Sequence, residues 1–279
     1  MERKDNSTME YLVESFGNKF MVAAVKSGHL NMIKAFHEQG VEWNELTCRT
    51  LAANGYLDCL IHVHEEGCPW DKTTTQLAAR NGHLDCLRYA HEEGCPWDEY
   101  TCQVASVNGH LLCLIYLHQE GCPWDWKTPW EAARNGHLEV LKYAHMEGCE
   151  WNKEICDVAA KKGNLDCLIF AHREGCGWDA RTCNAAASRG HLDCLIYLHE
   201  NGCPWNRETC KQAAKKGHLD CLQYLNENGC PWNGRTLREA SGNIECVTYL
   251  FCDDKCPRNR DTVAIASKHG LVRHIVCQG

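Results

Sequence analysis

The stretch WDEYTCQVASVNGHLLCLIYLHQEGCPW, residues 97–124, holds one complete structural unit. Asp98 stands where a helix would start, and an Asp side chain accepts hydrogen bonds from the free amide groups of a first helical turn. Helix A is predicted from Asp98 to about Asn108, where Gly109 ends it, because glycine enters the left-handed region at little cost. Helix B is predicted from about Leu111 to Glu120. Its Leu111, Leu114, Leu117 and His118 recur at three- and four-residue intervals and therefore share one face. Gly121 ends this helix and Pro123 prevents its resumption. Only Gly-Cys-Pro-Trp then leads to the next cap.

The same unit recurs along the chain. Glycines stand at 28, 55, 82, 109, 136, 163, 190 and 217, and tryptophans at 43, 70, 97, 124, 151, 178, 205 and 232, each series with a period of 27. Degenerate units follow around Gly242 and Gly270, giving ten units in 279 residues, numbered here one to ten by these glycines. The cap position holds only Asn or Asp: Asn44, Asp71, Asp98, Asp125, Asn152, Asp179, Asn206 and Asn233. Two helices of roughly ten residues are too short to stand alone in water. Each unit can bury its apolar face only against a neighbour, which makes the array quasi-one-dimensional. The pairs Ala78-Ala79, Ala132-Ala133, Ala159-Ala160 and Ala213-Ala214 let helices of adjacent units approach closely. The expected architecture is all-α, a stack of about ten helix–turn–helix repeats over 17–279. A polar lead-in, 1–16, with a short helix near Glu10–Ser15, precedes it. Leu271 to Gly279 supplies only part of a helix B, as a cap or a truncation. No linker composition marks a domain boundary.

Gly-His-Leu-Asp-Cys-Leu-x-Tyr-Leu-His-Glu-x-Gly, from Gly190 to Gly202, resembles the second-helix motif of ankyrin repeats. Ala-Ala-x-x-Gly-His resembles the end of that family's first helix. Gly-Cys-Pro-Trp-Asp or -Asn stands where the family has Gly-Ala-Asp-Val-Asn. The usual repeat is about 33 residues; this one is 27. The shortfall lies where the family carries its β-hairpin finger, and the Thr-Pro-Leu-His entry motif is replaced by Thr-Cys, as at Thr101-Cys102 and Thr209-Cys210. The resemblance implies ankyrin-like helix pairs with fingers shortened or absent, a first helix lining a concave groove, and binding of a partner rather than catalysis. Compact repeats with Gly-Cys-Pro-Trp are similar to families expanded in giant DNA viruses and some protists.

A net charge of -8 and a pI near 6.0 argue against a general nucleic-acid binder. No run approaches ~18 uncharged apolar residues, so no membrane span is expected. Met1-Glu2-Arg3-Lys4-Asp5 leads into no signal-like apolar run. An intracellular, cytoplasmic, monomeric protein is expected, in the host cytoplasm if the source is viral.

The 22 cysteines fall mainly into three recurring slots: in helix B (as Cys86), in the loop (as Cys95) and early in helix A (as Cys102). Val140 and Val41 occupy two of these slots elsewhere, which suits a small buried hydrophobe. Equivalent cysteines in stacked units would lie ~10 Å apart, beyond the ~7 Å between α-carbons that a disulfide tolerates. Zinc is the sharper alternative, with His83, Cys86, His91 and Cys95 as ligands. Four ligands would have to converge at ~2.0–2.3 Å, and Val140 and Asn164 interrupt the set in other repeats. No metal or cofactor is therefore expected. The Gly-His imidazole is expected to bond loop backbone, as the resemblance implies. No hydrolase elbow, phosphate loop or dinucleotide fingerprint occurs, and a repeated residue makes no unique nucleophile. No enzymatic activity is expected.

Basic residues precede the mid-repeat glycine, as Arg80, Lys161, Lys162, Arg189, Lys215 and Lys216, and acids such as Asp85, Asp166, Asp193 and Asp220 follow it. Helix dipoles favour this order; a basic stripe for an acidic partner is the alternative. Function is sought where the repeat breaks. Trp126 and Trp130 lie four apart on helix A of repeat five, opposite polar residues in the flanking units. They are read either as exposed interface anchors or as rings packed locally on each other or on Tyr100. The predicted binding surface comprises Glu99, Tyr100, Gln103, Trp126, Trp130, Lys153, Asp157, Arg181, Asn184, Arg207 and Lys211. A protein-interaction scaffold is the leading expectation, with a metal- or redox-responsive Cys/His protein and a weak polyanion binder as alternatives.

Overall fold

Caps and glycines delimit the helices. In the computed structural model, which describes residues 17–253, 256–257 and 259–271, every regular element among the described residues is helical. The lead-in 1–16 and the ending 272–279 lie outside the described residues. In repeats two to four, helix A spans Glu45–Asn54, Lys72–Asn81 and Glu99–Val107; helix B spans Leu57–Glu65, Leu84–Glu92 and Leu111–Gln119. In repeats six to eight, helix A spans Glu154–Lys162, Ala180–Arg189 and Arg207–Lys216; helix B spans Leu165–Arg173, Leu192–Glu200 and Leu219–Glu227. Repeat four thus has its predicted pair to within about a residue at each end.

The Asn or Asp cap accepts from the second residue of the helix, as Asn206 Oδ1 does from Glu208 N at 2.9 Å. Thr209 Oγ1 accepts in return from Asn206 N at 3.2 Å, a reciprocal box in which two otherwise orphan donors are satisfied. The box is absent in repeat six, where Ile155 replaces the threonine, and in repeat three, where the Thr74 hydroxyl takes no partner; in repeats five and six the helix starts one residue later. Repeat nine has ten residues from Asn233 to Gly242 where repeat eight has twelve from Asn206 to Gly217. The shortened helix, Gly234–Glu239, closes instead through a 3-10 turn, Ala240–Gly242.

The chain divides into two compact units. One runs to Ala132 and includes Tyr143–Cys149; the other comprises Ala133–Lys142 and everything from Glu150. In the first unit the A helices of repeats two to four pack side by side, each also against its own helix B; repeats six to nine do the same in the second. This is neighbour packing of a stacked-repeat solenoid. The alanines expected at the close approaches, among them Ala78, Ala79, Ala159 and Ala160, are fully buried. The helix-B face buries Cys113, Leu114 and Leu117, with Leu111 and His118 half-buried at its edges. Each such leucine contributes about 2 kcal/mol through removal of apolar surface from water.

Candidate interaction surface

The side chains common to the repeats engage one another. His64, on helix B of repeat two, stacks on Trp70 with ring centroids 3.6 Å apart. Its Nδ1 is 3.0 Å from the hydroxyl of Tyr89, on the following helix B, and Tyr89 meets Trp70 edge-on at 6.0 Å. The trio recurs in the first unit as His91–Trp97–Tyr116 and His118–Trp124–Tyr143. In the second it recurs as His172–Trp178–Tyr197 and His199–Trp205–Tyr224. Asn226 takes the histidine position once: it accepts from Trp232 Nε1 at 2.8 Å and donates to the Tyr249 hydroxyl at 3.1 Å. Burial pushes the Tyr89 hydroxyl up to about 12, which keeps it protonated beside the His64 ring. Burial lowers His172 from its ordinary value, in keeping with the acceptor role towards Tyr197. Ring pairs of this kind contribute ~0.5–1.5 kcal/mol beyond their buried area. This inter-repeat ladder escaped the sequence reading, although tyrosines at 89, 116, 143, 197 and 224 share the 27-residue register.

The four side chains weighed as zinc ligands take separate partners. The ring of His83 lies so close over Gly55 that a Cβ there would sit 2.5 Å from Nδ1, and Gly55 has φ of 74°. This glycine serves both as a left-handed helix end and as a bed for the imidazole. Cys86 is buried in helix B, where burial pushes its thiol up to about 12. His91 belongs to the ladder, and Cys95 Sγ donates to the Asp71 carbonyl at 3.1 Å. The other loop thiols repeat that bond, as Cys203 to Asp179 at 3.4 Å. Every described cysteine is free, and all but Cys252 are buried. The reactive form of cysteine is the thiolate; the helix-B thiols are held as protonated packing groups. The Gly-His position bonds backbone of the preceding repeat: Asn164 Nδ2 donates to the Ala133 and Arg134 carbonyls at 2.8 and 3.0 Å, and His191 bonds the backbone of Lys161.

The predicted surface residues divide by position. In the first unit Glu99 is exposed, as are Tyr100 at 52% and Trp126 at 42%, with the Lys127 ammonium 6.0 Å from the Trp126 ring centre; Trp130 is half-buried. Gln103, expected at an exposed surface, is instead buried, because its Nε2 donates to the cap Asp125 of the next repeat at 3.1 Å. In the second unit Lys153, Arg181 and Arg207 are exposed, while Asp157, Asn184 and Lys211 are half-buried. Asp157 accepts from the Thr182 hydroxyl and Asn184 from Thr209 Oγ1 at 2.6 Å, whereas Lys211 pairs with Glu208 at 2.8 Å. Arg181 folds onto its own cap Asp179 at 2.9 Å. The fifth residue after the cap thus often reaches into the next repeat: Arg49 Nη2 meets Asp71 at 2.7 Å, and Gln76 Nε2 meets Asp98 at 2.9 Å. Its side chain ties repeats together as well as facing outward.

Stacked helix pairs, a shared internal ladder and a varying helix-A surface define a helical repeat protein. Residues 183–261 match the family model described as Ankyrin repeats (3 copies), and the helical array of the described residues is consistent with that family. No curated protein matches the chain. Ankyrin repeats are generally protein–protein interaction modules and typically non-enzymatic. Among the described residues no helix is long and apolar enough to cross a membrane.

Proposed function

We propose that the protein is a non-enzymatic scaffold that binds a partner protein through helix-A residues varying from repeat to repeat. The observation that carries this reading is the exposure of Tyr100 and Trp126, aromatic breaks in the pattern, beside rings of the repeating pattern that are engaged within the ladder. Aromatic side chains on a rigid surface make strong anchors, since they bury much area at small entropic cost. Glu99 and Trp130 complete the contact surface of the first unit; Gln103 supports it by fixing Asp125. In the second unit Lys153, Arg181 and Arg207 contribute charge, and Asp157, Asn184 and Lys211 shape. The many free buried thiols suit a reducing compartment, and the protein acts there as a monomer. Affinity capture followed by quantitative binding tests the reading. Tyr100→Ala with Trp126→Ala abolishes or strongly weakens binding of the captured partner while helical circular dichroism is retained. Undiminished binding by that double variant removes both rings from the surface.

A further inference from the structure

Lys162, Arg189 and Lys216 occupy one register position, the residue before the mid-repeat glycine, in repeats six, seven and eight. Lys161 and Lys215 stand one residue earlier in the outer two, so five of the six side chains at these two positions are cationic. The same positions in repeats two to four hold Ala53, Asn54, Arg80, Asn81, Val107 and Asn108, with one cation. A helix dipole acts alike on every helix A, so it does not account for the concentration in repeats six to eight. The cations are uncompensated: among the described residues Lys161, Lys162, Arg189 and Lys216 have no carboxylate at ion-pair distance, and only Lys215 reaches one, Glu239 at 3.5 Å. Lys161, Lys162, Arg189 and Lys216 line two adjoining clefts of about 480 and 290 Å³ that share Lys161 and Arg189; Ser188, Gln212 and His218 complete the larger, with Lys216, and His191 the smaller, with Lys162. Of the carboxylates near the lining in the chain, Glu208 is held by Lys211 and Gln212, whereas Asp193 and Asp220, two residues beyond His191 and His218, are exposed. Burial lowers His191 from its ordinary value, its hydrogen bond with the Lys161 backbone opposes this, and His218 and Arg189 nearby lower it further.

We propose that this cleft binds a short acidic stretch of polypeptide in extended conformation, its carboxylates meeting Lys162, Arg189 and Lys216 in turn. Packed helices stand ~8–10 Å apart; a polyproline II chain, the extended form in which every third side chain returns to the same face, advances ~3.1 Å per residue. Acids three residues apart therefore keep step with the repeats. A long polyanion such as nucleic acid is disfavoured by the chain's net charge of -8, whereas a short segment feels chiefly the local cations. The site shares no residue with the helix-A surface of Tyr100 and Trp126.

Fluorescence anisotropy tests it with labelled peptides of about twelve residues, carrying Asp at every third position, at every second position, or not at all. The every-third peptide binds best, and binding weakens as NaCl rises from about 50 to about 300 mM. Arg189→Gln with Lys216→Gln, both exposed side chains, weakens it about tenfold with helical circular dichroism unchanged. The charge-conserving pair Arg189→Lys and Lys216→Arg retains it, and Tyr100→Ala with Trp126→Ala leaves it untouched. Equal affinity of wild type and the Gln pair overturns the proposal, as does equal binding of the every-second peptide. Tighter binding of an oligodeoxythymidylate of equal charge overturns the choice of a peptide.

Discussion

Trp97 and Trp126 lie in neighbouring stretches of the same unit and in opposite circumstances. Trp97 stacks on His91 at 3.6 Å and meets Tyr116 edge-on, while Trp126, the first residue after its cap, is exposed beneath a lysine ammonium. One ring belongs to the 27-residue pattern and the other interrupts it. A side chain that recurs in register meets its own copies at every step, so stacking consumes its contacts. A side chain that occurs once has no counterpart in the next repeat and is left for another molecule. The rule fails instructively at Gln103, a variable residue that is nevertheless buried because Asp125 of the next repeat, an invariant cap type, lies within its reach.

Four perturbations sharpen the contrast. Removing a ladder ring has the largest expected effect: Trp205→Ala costs about 3 kcal/mol, because both His199 and Tyr224 lose their partner; urea unfolding measures it. A loss below about 0.5 kcal/mol would place the ladder among passive surface contacts. Tyr116→Phe removes only the hydroxyl bonded to His91 and costs about 1 kcal/mol in the same assay; an unchanged stability shows that stacking alone holds the trio. Acidification acts more weakly. His172 and His191 are both lowered in the folded state by burial, so the unfolded chain takes up protons more readily. Their contribution is complete above the ordinary imidazole value of 6.5 and declines as the pH falls through the lower folded values. The melting temperature therefore drops on acidification from pH 6.5, and His172→Gln flattens that slope; a melting temperature that rises on acidification contradicts the assignment. Smallest of all, Tyr100→Ala with Trp126→Ala shifts stability by less than about 0.5 kcal/mol while costing partner binding. A large loss of stability there makes these rings structural.

The helix pairs were legible because the cap, glycine and proline act locally. Asp98, Gly109 and Pro123 need no knowledge of the neighbouring repeat, and the predicted helix ends of repeat four agree with Glu99–Val107 and Leu111–Gln119 to about a residue. Partner choices were less legible because they cross between repeats. His91 reads as one residue of an amphipathic helix until Tyr116 of the next repeat is set beside it, and that separation of 25 is hidden behind a period of 27. Gln103 reads as exposed on an isolated helix for the same reason. At the candidate surface, the oddity of Trp126 was visible in the sequence, and its register position is exposed in the preceding repeats as well, at Glu45, Lys72 and Glu99. The concentration of cations in repeats six to eight was present in the same letters, masked by a dipole argument that applies to every repeat.

The most direct measurement is a side-by-side urea unfolding of Trp97→Ala and Trp126→Ala. Both remove an indole from the same unit, so composition and size of the change are equal. The account predicts a loss of about 2–4 kcal/mol for the first and less than about 0.5 kcal/mol for the second. Equal losses, or a greater loss at Trp126, would contradict the division between rings that hold the stack and rings that face outward.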